Sequence, residues 1–90
     1  MLKNLEELIN IIRNRKKNPK SSSYTNKLLN NKKLSIEKIK EEIGELVDAI
    51  NEDSNKIHET ADVIYHLMVL LEANDIKVED VMEELKKRQK

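Results

Sequence analysis

Glu41, Glu42 and Glu45 fall within five positions, and Glu59 and Asp62 follow after the 13 residues 46–58. Glu59 and Asp62 lie near the start of the most apolar run in the chain, IHETADVIYHLMVLL (57–71), which also carries His66. At about 100° per residue on a helix, the three glutamates line one border of an apolar stripe. Glu59, Asp62 and His66 line one strip of the following helix. If the two helices pack, four or five carboxylates meet at the edge of the core. Carboxylates held together repel unless they protonate or bind a cation, and burying one unpaired is costly. A hard cation with oxygen ligands resolves that conflict. Mg²⁺ suits the role because it is commonly shared between carboxylates and substrate phosphates. Simpler readings exist for each residue alone. E-E-x-x-E occurs on solvated helices, and acids in a first turn favour the helix dipole. His66 reads as a hydrogen-bonded core histidine and His58 as a surface residue.

The elements that must position these acids are helical. Leu2, Leu5, Leu8, Ile9 and Ile12 recur at helical spacing and predict a helix over about 2–17. Asn18, Pro19 and Ser21–Ser23 break it. Tyr24–Leu29 predicts a short helix with Leu28 and Leu29 inward, and Asn30–Lys33 a polar loop. Ser35 is the expected N-cap of a helix over about 36–51. Ile36, Ile39, Ile43, Leu46, Val47 and Ile50 form its stripe. Residues 51–54 predict a turn, with Asp53 or Ser54 capping a helix over about 55–73. That helix is apolar on nearly every side in its second half and is expected to be central. A last helix over about 78–88 carries Val78, Val81, Met82 and Leu85 on one face, with the tail ELKKRQK solvated.

The chain has 90 residues, one Gly, one Pro, two aromatic residues and no cysteine. This composition favours an all-α bundle in a single domain (1–90) and excludes disulfide and thiol chemistry. Lys+Arg and Asp+Glu are both 17, which argues against general nucleic-acid binding. No apolar run approaches the roughly 18 residues needed to span a bilayer, and MLKNLEEL lacks the pattern of a signal peptide. A cytoplasmic location and no membrane partner are therefore expected. A chain this short buries a modest core, so a partner chain is also expected.

E41-E42-I-G-E45 followed by E59-T-A-D62 resembles the E-E-x-x-E … E-x-x-D signature of the all-alpha nucleoside-triphosphate pyrophosphatase (MazG-like) superfamily. S23-Y-T-N-K-L-L29 resembles the S-Y-T-x-K-L segment of its phosphoribosyl-ATP pyrophosphatase family, as do the runs 61–71 and 76–85. Lys40 and Ser22 stand where that family usually has glycine. The resemblance implies a helical bundle of four main helices completed by homodimerisation. It also implies Mg²⁺-dependent hydrolysis of phosphoribosyl-ATP to phosphoribosyl-AMP and pyrophosphate, the second step of histidine biosynthesis. Glu41, Glu42, Glu45, Glu59 and Asp62 are then the expected metal ligands and catalytic acids. Lys27 and Lys38 would meet phosphate as point charges, and Ser23, Tyr24 and Thr25 would contact the nucleotide substrate. Arg13, Arg15 and Lys16 are weaker phosphate candidates. Two alternatives stand beside this reading: a house-cleaning nucleoside-triphosphate pyrophosphatase of the same superfamily, and a non-catalytic helical dimerisation module.

Overall fold

A computed structural model describes residues 2–89. Met1 and Lys90, the ends of the expected domain, lie outside the described residues. Five helices follow one another: α1 (Lys3–Lys17), α2 (Tyr24–Leu29), α3 (Lys32–Glu52), α4 (Lys56–Ala73) and α5 (Val78–Arg88). No strand occurs among the described residues, so the all-α class holds. None of the helices is long and apolar enough to cross a membrane.

α1 ends in Arg15, Lys16 and Lys17, cations that suit the negative end of its dipole. The connection to α2 is tied down by Asn26, a buried side chain. Its Nδ2 donates to the Arg15 carbonyl (2.7 Å), and its Oδ1 accepts from the Lys20 N–H (2.8 Å). Ser23 caps α2 by accepting from the Asn26 N–H (3.3 Å).

Two boundaries differ from expectation. α3 begins at Lys32, inside the expected loop, because Asn31 rather than Ser35 is its cap. The Asn31 side chain accepts from the Leu34 N–H at 3.0 Å. Ser35 is buried within the helix, and its hydroxyl donates to the Leu28 carbonyl (2.6 Å). At the other end α3 runs on to Glu52. Asp53 closes it in the left-handed region (φ 53°), and Asn55, also left-handed (φ 48°), opens α4 without a side-chain cap bond. Neither Asp53 nor Ser54 caps α4. Short polar side chains tolerate this backbone better than others.

α4 is central: it packs against α1, α2 and, most extensively, α3, with which it forms a helical hairpin. The core is built around the fully buried Ile12, Leu28 and Val69, with Leu8, Leu29, Leu34, Tyr65 and Met68 packed against them. The α3 stripe does not all turn inward. Ile39 is buried, yet Ile36, Ile43, Val47 and Ile50 are exposed, and Ile57, Ile64 and Leu67 of α4 are exposed as well. α5 buries no residue fully. Its fixed point is Glu79, which takes a forked contact from Arg13 (2.6 and 3.0 Å). Lys16 donates to Asp75 (2.5 Å) and to the Glu72 carbonyl (2.9 Å) beside it.

Candidate active site

The packing of α3 on α4 sets two acidic groups against each other. Glu41, Glu42 and Glu45 each offer an oxygen, all within 4.8 Å of one another. His58, Glu59 and Asp62 form a second group within the same limit, with the His58 Nε2 3.3 Å from Asp62 Oδ2. Glu45 links the groups, since its carboxylate acts on both Glu42 and Glu59.

The burial of these acids is unequal. Glu42 is 8 % exposed, Glu59 and Asp62 are half-buried, and Glu41 and Glu45 are exposed. One oxygen of Glu42 and one of Glu59, both Oε2, are buried without a hydrogen-bond partner. A buried, unpartnered carboxylate oxygen is an acceptor that the chain itself does not satisfy. Burial raises the Glu42 carboxyl pKa above its ordinary value, and Glu45 and Asp62 add to the shift while His66 opposes it. Burial also raises Glu59, reinforced by Glu45 and Asp62. In both cases Glu45 can hydrogen-bond only if one carboxyl of the pair holds a proton; ionised, the two repel. The donor set is oxygen-rich and short of positive charge, and its two unsatisfied oxygens suit a hard divalent cation.

The cationic candidates separate. Lys38 is engaged with Glu41 (3.3 Å), and that contact holds its ammonium above the ordinary lysine value. Lys27 is exposed on α2 and makes no ion pair among the described residues; it borders a surface hollow with Lys20, Ser23 and Tyr24. Arg13 and Lys16 are committed to Glu79 and Asp75, away from the acidic cluster. The Arg15 carbonyl serves Asn26.

The hydroxyls of the S-Y-T segment are used internally. Ser23 caps α2, Tyr24 Oη lies 3.2 Å from His66 Nε2, and Thr25 Oγ1 lies 2.5 Å from Tyr65 Oη. His66 is the hydrogen-bonded core histidine its apolar surroundings suggested. The contact of His58 with Asp62 was not read from the sequence, although their four-residue spacing on one helix permits it.

Comparison with known proteins gives the family. The family model described as phosphoribosyl-ATP pyrophosphohydrolase matches residues 5–89. The chain belongs to the phosphoribosyl-ATP pyrophosphohydrolase family. Relatives of this phosphoribosyl-ATP pyrophosphohydrolase family member include the phosphoribosyl-ATP pyrophosphatase of Methanococcoides burtonii. The two are 40% identical over 93% of this chain and 90% of that one. The Sulfurisphaera tokodaii enzyme of the same name is 45% identical over 96% of this chain and 95% of its own. A histidine biosynthesis bifunctional protein of Pyrococcus furiosus is 43% identical over 96% of this chain, which spans 41% of that longer protein.

Proposed function

We infer that this chain is a phosphoribosyl-ATP pyrophosphohydrolase that hydrolyses phosphoribosyl-ATP to phosphoribosyl-AMP and pyrophosphate, the second step of histidine biosynthesis. Family membership across residues 5–89 carries the reading. The unpartnered Glu42 and Glu59 oxygens beside Glu45 support it at the level of chemistry. Hydrolysis of a phosphoanhydride requires a polyphosphate to be neutralised and a water to be aligned with the leaving oxygen. Glu41, Glu42, Glu45, Glu59 and Asp62 would hold Mg²⁺. Bound there, Mg²⁺ would offset the charge of the substrate phosphates. The acids also orient the attacking water, and one of the glutamates accepts its proton. Lys27 meets phosphate as a point charge, free of the competition that Glu41 imposes on Lys38. Ser23, Tyr24 and Thr25 shape the substrate side from α2.

The reading includes a cytoplasmic enzyme with one catalytic domain over the chain, acting as a homodimer. The exposed Ile36, Ile43, Val47 and Ile50 of α3, with Ile57 and Leu67 of α4, support the dimer, because apolar surface of this extent favours burial. Sedimentation at low micromolar concentration is expected to show a dimer, and a folded monomer there contradicts it. A substrate panel tests specificity: pyrophosphate release from phosphoribosyl-ATP is expected to exceed that from dCTP, ATP and oxidised nucleoside triphosphates. Preference for one of those would move the chain to the house-cleaning branch of the superfamily.

A further inference from the structure

Two successive residues of α2 bond two successive residues of α4. Tyr24 reaches His66, and Thr25 reaches Tyr65. α2 has six residues, too few to be stable as a helix on its own, so its placement depends on contacts of this kind. The His66 ring is fixed from both edges. Its Nδ1 lies 2.9 Å from the Asp62 main-chain carbonyl, which can only accept, so Nδ1 is the donor. In the neutral ring Nε2 is then an acceptor, and the Tyr24 hydroxyl, 3.2 Å away, donates to it. Aromatic packing holds the same arrangement: Tyr24 and Tyr65 stack with rings inclined at 18°, and both meet His66 edge-on. His66 is 8 % exposed.

We propose that His66 is a positioning residue: through Tyr24 it latches α2 to α4 and so fixes the Ser23–Lys27 segment against the Glu42–Asp62 cluster. The inference rests on the functional reading above in one respect, that α2 faces the substrate. It assigns His66 no contact with the reacting atoms. The latch joins the two parts of the site that come from distant stretches of chain, the hydroxyl-rich segment at 23–27 and the acids at 41–62. Loosening it leaves the acids on the α3–α4 hairpin, which packs independently of the Tyr24 bond. The cost therefore falls on substrate capture, and the chemical step is spared.

The test uses three variants in the full chain, with steady-state kinetics on phosphoribosyl-ATP and amide hydrogen exchange. Tyr24→Phe keeps the ring and removes the donor, so it preserves packing even if a histidine variant costs the fold. His66→Asn retains a donor near Nδ1 but cannot reach Tyr24. His66→Gln retains an acceptor near Nε2. Tyr24→Phe and His66→Asn should each raise KM about two- to tenfold, the range of one neutral hydrogen bond, with kcat within about twofold. Amide exchange over residues 24–30 should quicken in both, while α3 is unchanged. Combining the two should add nothing further, and His66→Gln should restore KM toward that of the unmodified chain. Unchanged KM and exchange, additive effects, or equal behaviour of the Asn and Gln variants would overturn the proposal. A general loss of stability with kinetics intact would overturn it too. If the unmodified chain releases no pyrophosphate, the functional reading fails, and exchange at 24–30 decides the latch by itself.

Discussion

Replacing Glu42 by glutamine keeps its size and removes its charge from the least exposed position of the acidic cluster. Two ionised carboxylates 4.8 Å apart, the outer limit for Glu41, Glu42 and Glu45, repel by about 1 kcal/mol in water and about 3.5 kcal/mol at an effective dielectric of about 20. Glu42 is buried while Glu45 is exposed, so the true environment lies between these limits. Without metal, Glu42→Gln should therefore stabilise the fold at neutral pH by about 1–3 kcal/mol. The sign follows from the raised folded-state pKa. A carboxyl with a folded pKa above its unfolded value favours the native state while protonated. Its destabilising effect is absent below the unfolded value of 4.5 and grows as pH rises through the raised one. The advantage of the glutamine should thus vanish in acid. With Mg²⁺ the difference should close or reverse. At 100 times the dissociation constant the unmodified chain gains about 2.7 kcal/mol by mass action, and the variant gains little. For a chain of this size that is a Tm rise on the order of 10 °C or more. Urea and thermal unfolding in EDTA and in Mg²⁺, at matched ionic strength, measure both effects. A variant less stable than the parent in EDTA, or one that keeps the full Mg²⁺ response, would refute the reasoning.

Three further outcomes are expected. Lys27→Ala should lower kcat/KM by about 1.5–3 kcal/mol, the scale of a charged hydrogen bond, and leave the Mg²⁺-induced Tm rise intact; loss of that rise contradicts the separation of roles. Leu28→Ala, in the fully buried core with Ile12 and Val69, should cost about 2–5 kcal/mol in urea unfolding with the m-value unchanged. Arg13 holds the Glu79 carboxyl at about 2, so the docking of α5 should contribute fully above 4.5 and be lost as pH falls toward about 2. Hydrogen exchange of α5 across that range checks this, and Glu79→Gln should abolish the dependence.

Much of the helical order was legible because each helix carries a local signal. Leu5, Leu8 and Ile12 mark α1, and Leu28 with Leu29 marks α2. The α3 start was missed because a tertiary contact decides it. The Ser35 hydroxyl is taken by the Leu28 carbonyl, which leaves Asn31 to cap. The α3–α4 turn uses two left-handed residues, Asp53 and Asn55, and a rule seeking a side-chain cap cannot see it. Periodicity found the α3 stripe but not which part the chain covers. Ile39 goes inward and Val47 stays out, because one repeat faces two surfaces. The approach of the two acidic groups was readable from helical angles alone. The partners of Arg13, Lys16 and His66 were not, since each of those bonds spans 42–66 positions in sequence or joins side chain to backbone. Arg13 and Lys16, expected only as weaker phosphate candidates, instead clasp α5 and the preceding turn through Glu79 and Asp75.

The most direct test of the central claim is product analysis with phosphoribosyl-ATP as substrate. With Mg²⁺ the purified chain should yield phosphoribosyl-AMP and pyrophosphate in equal amounts, with no inorganic phosphate. EDTA should abolish turnover, and Glu42→Gln should abolish it in the presence of Mg²⁺. Release of phosphate in place of pyrophosphate, turnover that survives both EDTA and Glu42→Gln, or no turnover at all would contradict the account.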